Sequence, residues 1–383
     1  MVYLVIFCIA SICFAASQRN TSVVISFDRR KLFRASTIYG VFGILVLSII
    51  AGIRSSSVGV DVETYVISSF FRVSNYTSFL TVIENHKLEL GYEFLEYFVS
   101  RINADVHYLH FATALIVTGC TYTFIKRFSD KISIAMAMLV FMCMYFNQSL
   151  NIVRQWLAIA IYIGIGGGHL IERKSVKYFL SCTLAMLFHT SAIITFPIYF
   201  IYGYLNTGYR HQKRALIIIV ITTLCILFFD KICMGMIGIG VLPSKYLHYL
   251  VDSGEGTSSL AMNILQRLPL LILSIWLKGD LDKYDNKNNI WFCFVVLEFL
   301  IGMLASRFGY ASRFVLYFSV WQCMYYSEVY RMLRRKIRGK GKFFLTSGFI
   351  VMFLLYWTYC YVIRGFSGTV PYTSDVLFIL GNN

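Results

Sequence analysis

The sequence predicts an all-α polytopic integral membrane protein, and three observations carry that prediction. Of 383 residues, 58% are hydrophobic and only 14% are charged, far too apolar a balance for a soluble globular domain, and the mean hydropathy is +0.66. Apolar runs of roughly 17–25 residues, long enough to cross a bilayer as helices, recur along the whole chain. The basic residues collect in short connections between those runs, as in RMLRRKIRGKGK at Arg331 to Lys342. The net charge of +16 is therefore a topology signal rather than the footprint of a nucleic-acid partner. Ten cysteines are scattered through the apolar runs with no CxxC or Cys/His cluster, which speaks against disulfides and against a zinc site. Neither a metal nor another cofactor is expected.

The elements follow in chain order. The first run, MVYLVIFCIASICFAAS, has no basic residue before it and Arg19 after it. That is the reverse of a cleaved secretory signal, so a retained helix is expected over about 2–17 with its N-terminus outside. Further spans are expected at about 37–53, 107–125, 132–149, 152–170, 215–230, 259–277, 290–305, 311–330 and 343–363. If the loop 18–36, with Arg19, Arg29, Arg30, Lys31 and Arg34, is cytoplasmic, alternation puts Lys126, Arg127 and Lys131 on the same side, followed by Arg173, Lys174 and Lys177. The stretch YFLSCTLAMLFHTSAIITFPIYFIYGY breaks the pattern, because one crossing there would invert every later loop, including the seven basic residues of 331–342. Its 27 residues cannot cross twice at 1.5 Å per residue. A re-entrant hairpin over about 178–204, turning near His189-Thr190-Ser191, fits; an undetected extra crossing is the alternative. The expectation is a single transmembrane domain, 1–383, of about 10–12 transmembrane or re-entrant helices. An outer loop of about 54–106 would carry an amphipathic surface helix, since Tyr92, Leu95, Val99 and Ile102 recur at helical spacing in HKLELGYEFLEYFVSRI. A second outer loop covers about 231–258.

Polar residues gather where these segments meet the outer face. Arg54 opens RSSSVGVDVETY, Arg154 and Gln155 abut an apolar run from Trp156 to Gly168, and Arg307 and Arg313 flank SRFGYASR, with Tyr310 between them. A guanidinium at a membrane boundary is costly to bury without an anion, and its planar fork suits phosphate oxygens. A lipid-linked diphosphate would present its headgroup at that depth. Other readings stay open: Arg54 and Arg154 as interfacial anchors, and His189 as a packing histidine bonded to a carbonyl. Glu298, mid-span in WFCFVVLEFLIGM, is a functional candidate by default or a counter-ion to Arg267.

Five motifs in order cover nearly the whole chain: R-x4-G-x-D-x3-Y at Arg54, Gly59, Asp61 and Tyr65; E-x-G-Y at Glu89 to Tyr92; RQxLAxAI at Arg154 to Ile161; LFHTSAII-x2-P at Leu187 to Pro197; and PY at Pro371 and Tyr372. In these the chain resembles the EpsG-type branch of the Wzy family, the polytopic polymerases of O-antigen and exopolysaccharide. Leu90 stands where that pattern usually has proline, and the loop 231–258 matches none of it, which makes the loop a candidate for sugar specificity. The resemblance implies a GT-C-like, metal-independent glycosyltransferase in the bacterial inner membrane, multi-pass, with its active site facing the periplasm. Its substrate would be an undecaprenyl-diphosphate-linked oligosaccharide, and its partners membrane lipid and a chain-length regulator protein. The catalytic candidates are Asp61, Glu89 and His189. The candidates for holding substrate and diphosphate are Arg54, Tyr65, Tyr92, Arg154, Gln155, Arg307, Tyr310, Arg313 and Tyr372. The alternative function is a lipid-linked oligosaccharide flippase or transporter.

Overall fold

Within lipid, backbone polar groups must be satisfied inside the protein, which leaves helices and closed barrels as spanning structures. Here the apolar runs are helices. The computed structural model describes residues 2–18, 24–26, 32–206, 211–239, 260–285, 287–305 and 311–379. Of the predicted site, Arg307 and Tyr310 lie outside the described residues, as do 240–259 of the second outer loop. Among the described residues four helices are long and apolar enough to cross a membrane, Val106–Lys126, Ile134–Asn151, Asn288–Ala305 and Gly341–Ile363, and shorter apolar helices cover Val2–Ser17, Ser36–Gly52 and Asn263–Trp276. The protein is an all-α polytopic membrane protein. In the first connection the described residues form a small ribbon, in which β1 (Val24–Ser26) pairs antiparallel with β2 (Leu32–Arg34).

The chain forms two compact units, one of residues 1–193 and 326–383 and one of 194–325. In the first, α1 (Val2–Ser17) packs along α2 (Ala35–Gly52), and α2 packs along α6 (Val106–Lys126). Between α2 and α6 lie a widened helical stretch, Val62–Ile67, and three short α-helices, α3 (Ser68–Ser74), α4 (Phe79–Asn85) and α5 (Leu90–Ile102). Their boundaries have local causes. The Ser78 hydroxyl accepts from Thr81 N–H at the start of α4, and the Asp105 carboxylate accepts from His107 N–H at the start of α6. Downstream, α7 (Ile134–Phe141) runs through a widened turn into α8 (Asn147–Asn151), and Ile152, at φ −87° and ψ 62°, breaks the chain before α9 (Val153–Ile161). A second widened turn leads into α10 (Gly167–Ile171), followed by α11 (Ser175–Met186). Around His189 the helix is interrupted: α11 ends at Met186, a 3-10 turn covers Thr190–Ile194, and a new helix runs Thr195–Asn206.

In the second unit the helix Asn288–Ala305 is packed by the helices His211–Leu227, Leu260–Trp276 and Ala311–Ser319. Two expected spans are each divided. The run 215–230 breaks at Phe228 before a further helix, Phe229–Gly238, and the run 311–330 breaks at Val320–Trp321 between Ala311–Ser319 and Gln322–Lys336. Glu298 and Arg267 answer each other within this unit. Glu298 Oε1 lies 3.4 Å from Arg267 Nε, Ser319 Oγ donates to Oε1 at 2.6 Å, and Gln322 Nε2 donates to Oε2 at 2.6 Å. Both charges are buried, so their pairing and the two hydrogen bonds that Glu298 accepts are what make them tolerable inside a membrane protein. The counter-ion reading of Glu298 therefore holds.

Candidate functional site

Arg54 follows the end of α2 and turns inward. Gly59 has φ +110°, a backbone region that side-chain-bearing residues rarely adopt, and its N–H donates to the Gly368 carbonyl at 2.9 Å. The same C-terminal segment gives Thr373 O to Ser55 N–H at 2.9 Å and Thr369 O to the Tyr3 hydroxyl at 3.0 Å. Tyr372 donates to Ile50 O at 2.9 Å and meets Tyr3 edge-on at 5.4 Å between ring centres. The late PY motif thus closes over the Arg54 motif. Arg54 is 1% exposed, and its Nη2 lies 3.3 Å from His110 Nδ1 on α6. Its Nε and Nη1, and His110 Nε2, have no hydrogen-bond partner among the described residues. Burial pulls the Arg54 pKa down to about 10 against the opposing hydroxyls of Tyr3, Tyr372 and Tyr92, so it remains a cation at neutral pH.

Glu89 and Arg154 meet although 65 residues separate them. Arg154 Nη1 donates to Glu89 Oε2 at 2.5 Å, and Glu89 Oε1 accepts from Thr190 N–H at 3.3 Å. Three of the motifs converge in this one contact. They border an open cleft of about 520 Å³ lined by residues 86–90, Arg154, Met186, Leu187 and Thr190. The corner is held by the Gly91 N–H, which donates to the Leu187 carbonyl at 2.8 Å; a Cβ at Gly91 would come within 2.8 Å of that oxygen. Burial by itself would push the Glu89 carboxyl up, but the Arg154 guanidinium, the His189 ring and the hydrogen bonds outweigh it and hold the carboxyl below its ordinary range. His189 is buried beside this pair. Its Nδ1 accepts from Ser191 N–H at 3.1 Å and lies 2.7 Å from the Ser191 hydroxyl. An acceptor Nδ1 puts the proton of the neutral ring on Nε2.

Tyr92, on α5, is fully buried and within electrostatic reach of both Arg54 and Arg154. The face of α5 turned into the protein holds Tyr92, Glu93, Glu96, Val99 and Ser100, whereas Phe98 and Ile102 are exposed, Ile102 at 78%. Sequence reasoning missed the acids on this face. Glu93 Oε1 receives Arg72 Nη2 at 2.5 Å and the backbone N–H groups of Lys87 and Leu88 at 2.9 and 2.8 Å. Glu96 Oε2 accepts from the Ser69 hydroxyl at 2.7 Å, and burial raises the Glu96 carboxyl to about 8, so it is mainly protonated at neutral pH. A signal was present: Glu89, Glu93 and Glu96 are spaced four and three residues apart, on one side of a helix. His110 gave no comparable signal, because its meaning depends on α6 lying against α2.

The other candidates are dispersed. Asp61 donates its backbone N–H to Asn151 Oδ1 at 2.7 Å and does not line the cleft. Tyr65 is half exposed, and Gln155 is buried in the first turn of α9. Arg313 is exposed on the helix Ala311–Ser319 in the second unit.

A family model described as the EpsG family matches residues 37–374. The chain belongs to the EpsG family. Neither a curated protein nor a solved structure gave a match. The part of this EpsG-family chain that matches holds Arg54, Glu89, Arg154, His189 and Tyr372, while α1, which brings Tyr3 to Tyr372, precedes it. EpsG membership points to a polysaccharide-polymerase-like, glycosyltransferase-like role in a membrane.

Proposed function

We propose that this protein polymerises lipid-linked oligosaccharide repeat units, transferring the growing glycan from undecaprenyl diphosphate to the non-reducing end of an incoming unit at the periplasmic face of the bacterial inner membrane. The observation that carries the proposal is the cleft where Glu89 and Arg154 pair beside the His189 turn. It unites an anion, a cation able to hold phosphate, and open volume on the scale of a sugar ring. The acceptor hydroxyl attacks the anomeric carbon as the bond to the diphosphate oxygen breaks, so negative charge grows on the leaving group. Arg154 meets that charge with the guanidinium edge that Glu89 does not occupy. Glu89 is the acid among the catalytic candidates that lines the cleft, and its ionised carboxylate accepts the hydrogen bond of the attacking hydroxyl. His189, whose Nδ1 accepts from the Ser191 N–H, is a donor at Nε2 and so is not the base. Arg54, buried with unpartnered guanidinium nitrogens, is the second cation of the diphosphate site. Tyr372 holds the cover over Arg54. Gln155 and Tyr65, in the same unit, are further candidates for substrate contact, and a chain-length regulator is the expected protein partner.

In this reading 178–204 is a re-entrant hairpin whose break at His189 reaches the outer cleft. Single-cysteine labelling in a cysteine-depleted background should find Lys213 cytoplasmic, and labelling of Lys213 from the periplasm removes the hairpin. The function is tested by the glycan ladder of a deletion strain. Polymerase loss leaves chains of a single repeat unit, whereas complete absence of repeats favours the flippase reading.

A further inference from the structure

Glu93 is a carboxylate at 0% exposure on a helix whose opposite face carries exposed apolar side chains. Burial of this kind is costly unless the charge is paired and fully hydrogen-bonded. One oxygen, Oε1, gathers three donors: Arg72 Nη2 from α3 and the consecutive backbone N–H groups of Lys87 and Leu88. Those two amides belong to the connection between α4, which ends at Asn85, and α5, which begins at Leu90. The connection has neither helix nor strand of its own, yet it supplies His86, Lys87, Leu88 and Glu89 to the wall of the cleft. Glu89 must simultaneously reach Arg154 and the Thr190 N–H, groups borne by distant parts of the chain. Directed bonds of that kind survive only if the backbone beneath the carboxylate is held still.

We propose that Glu93 is a positioning residue: by clamping the backbone of 87 and 88 onto α5, it sets where Glu89 meets Arg154. The proposal rests on the cleft being the site of glycan transfer. Arg72 makes the clamp possible by neutralising the buried charge, and Ser69 joins it to the α3 side, receiving Arg72 Nη2 at 3.2 Å. An apolar residue at 93 fills the space but leaves both amides without an acceptor. Glutamine keeps a carbonyl oxygen for the amides and loses the ion pair with Arg72. Aspartate withdraws the oxygen by one methylene.

The test uses the full-length protein with two readouts. In extension assays on lipid-linked repeat units, Glu93→Ala lowers kcat about 10²-fold, Glu93→Gln lowers it about tenfold, and KM for the repeat unit changes less than about twofold in both. Separately, a cysteine at Lys87 in a cysteine-depleted background reacts with a membrane-impermeant maleimide at least about threefold faster in Glu93→Ala than with Glu93 present, as expected for a released backbone. A cysteine at the exposed Asn103, beyond the end of α5, reacts at an unchanged rate. Wild-type kcat in both Glu93 variants at normal abundance overturns the proposal, and so does an unchanged labelling rate at position 87. If the unaltered protein extends no glycan, the polymerase reading fails, while the labelling rates still decide whether Glu93 holds the loop.

Discussion

Replacing Arg154 by lysine lowers chain extension about 10²–10³-fold, the usual loss when one donor to a developing oxyanion is removed, while the protein inserts at normal abundance. Lysine keeps the positive charge and reaches a membrane boundary equally well. What it loses is the planar fork that lets one edge serve Glu89 while another faces phosphate. A mere interfacial anchor would tolerate the change. Arg154 remains partly exposed, so the ion pair itself contributes on the order of 1 kcal/mol or less to stability, and Arg154→Ala should also insert while extending glycans no better than Arg154→Lys. Glycan ladders measured beside membrane abundance check both. Near-normal chain lengths in Arg154→Lys would remove Arg154 from the site.

Glu89→Gln costs about 10²-fold or more in kcat, within the range for loss of a positioned proton acceptor, with KM for the lipid-linked donor unchanged or lower. The glutamine carbonyl can still accept a hydrogen bond, but it no longer balances Arg154, whose charge is then wholly available to diphosphate. Tight binding with slow transfer is the expected signature. The pH dependence follows from the depressed pKa of Glu89. A carboxyl whose folded pKa lies below its unfolded value, about 4.3, adds stability at higher pH. That stability is lost as pH falls through the folded value. The wild type should therefore keep its stability advantage over Glu89→Gln at neutral pH and lose it only below the ordinary carboxylate range, which thermal unfolding across pH would measure. An advantage that disappears at a pH well above about 4.3 would contradict the depressed pKa.

The helices were legible because a bilayer leaves long apolar runs few other backbone solutions. The breaks at Phe228 and Val320–Trp321 were not, since neither glycine nor proline marks them. Arg267 and Glu298 could be paired in advance because opposite charges in the same apolar surroundings need each other. In the site, Glu89, Arg154 and His189 were each nominated by motif, and the structure brings them together. The charge on Arg154 looked from the sequence like a vacancy for an outside anion alone. In the fold it is shared with Glu89, a residue whose distance along the chain hid the pairing. On α5 the apolar series Tyr92, Leu95, Val99 and Ile102 suggested one stripe, but Ile102 is exposed and the inward face is completed by Glu93 and Glu96. Sequence periodicity ranks positions by hydropathy and so discounts buried acids, which are stable here only through Arg72, Ser69 and two backbone amides.

The most direct measurement is extension of purified lipid-linked repeat units by the purified protein, with product lengths resolved by gel. The account predicts a ladder of successively longer glycans on the lipid carrier, undecaprenyl diphosphate released in step with each addition, and loss of both in Arg154→Lys. A folded preparation that, given its cognate repeat unit, yields nothing longer than the starting material would contradict it.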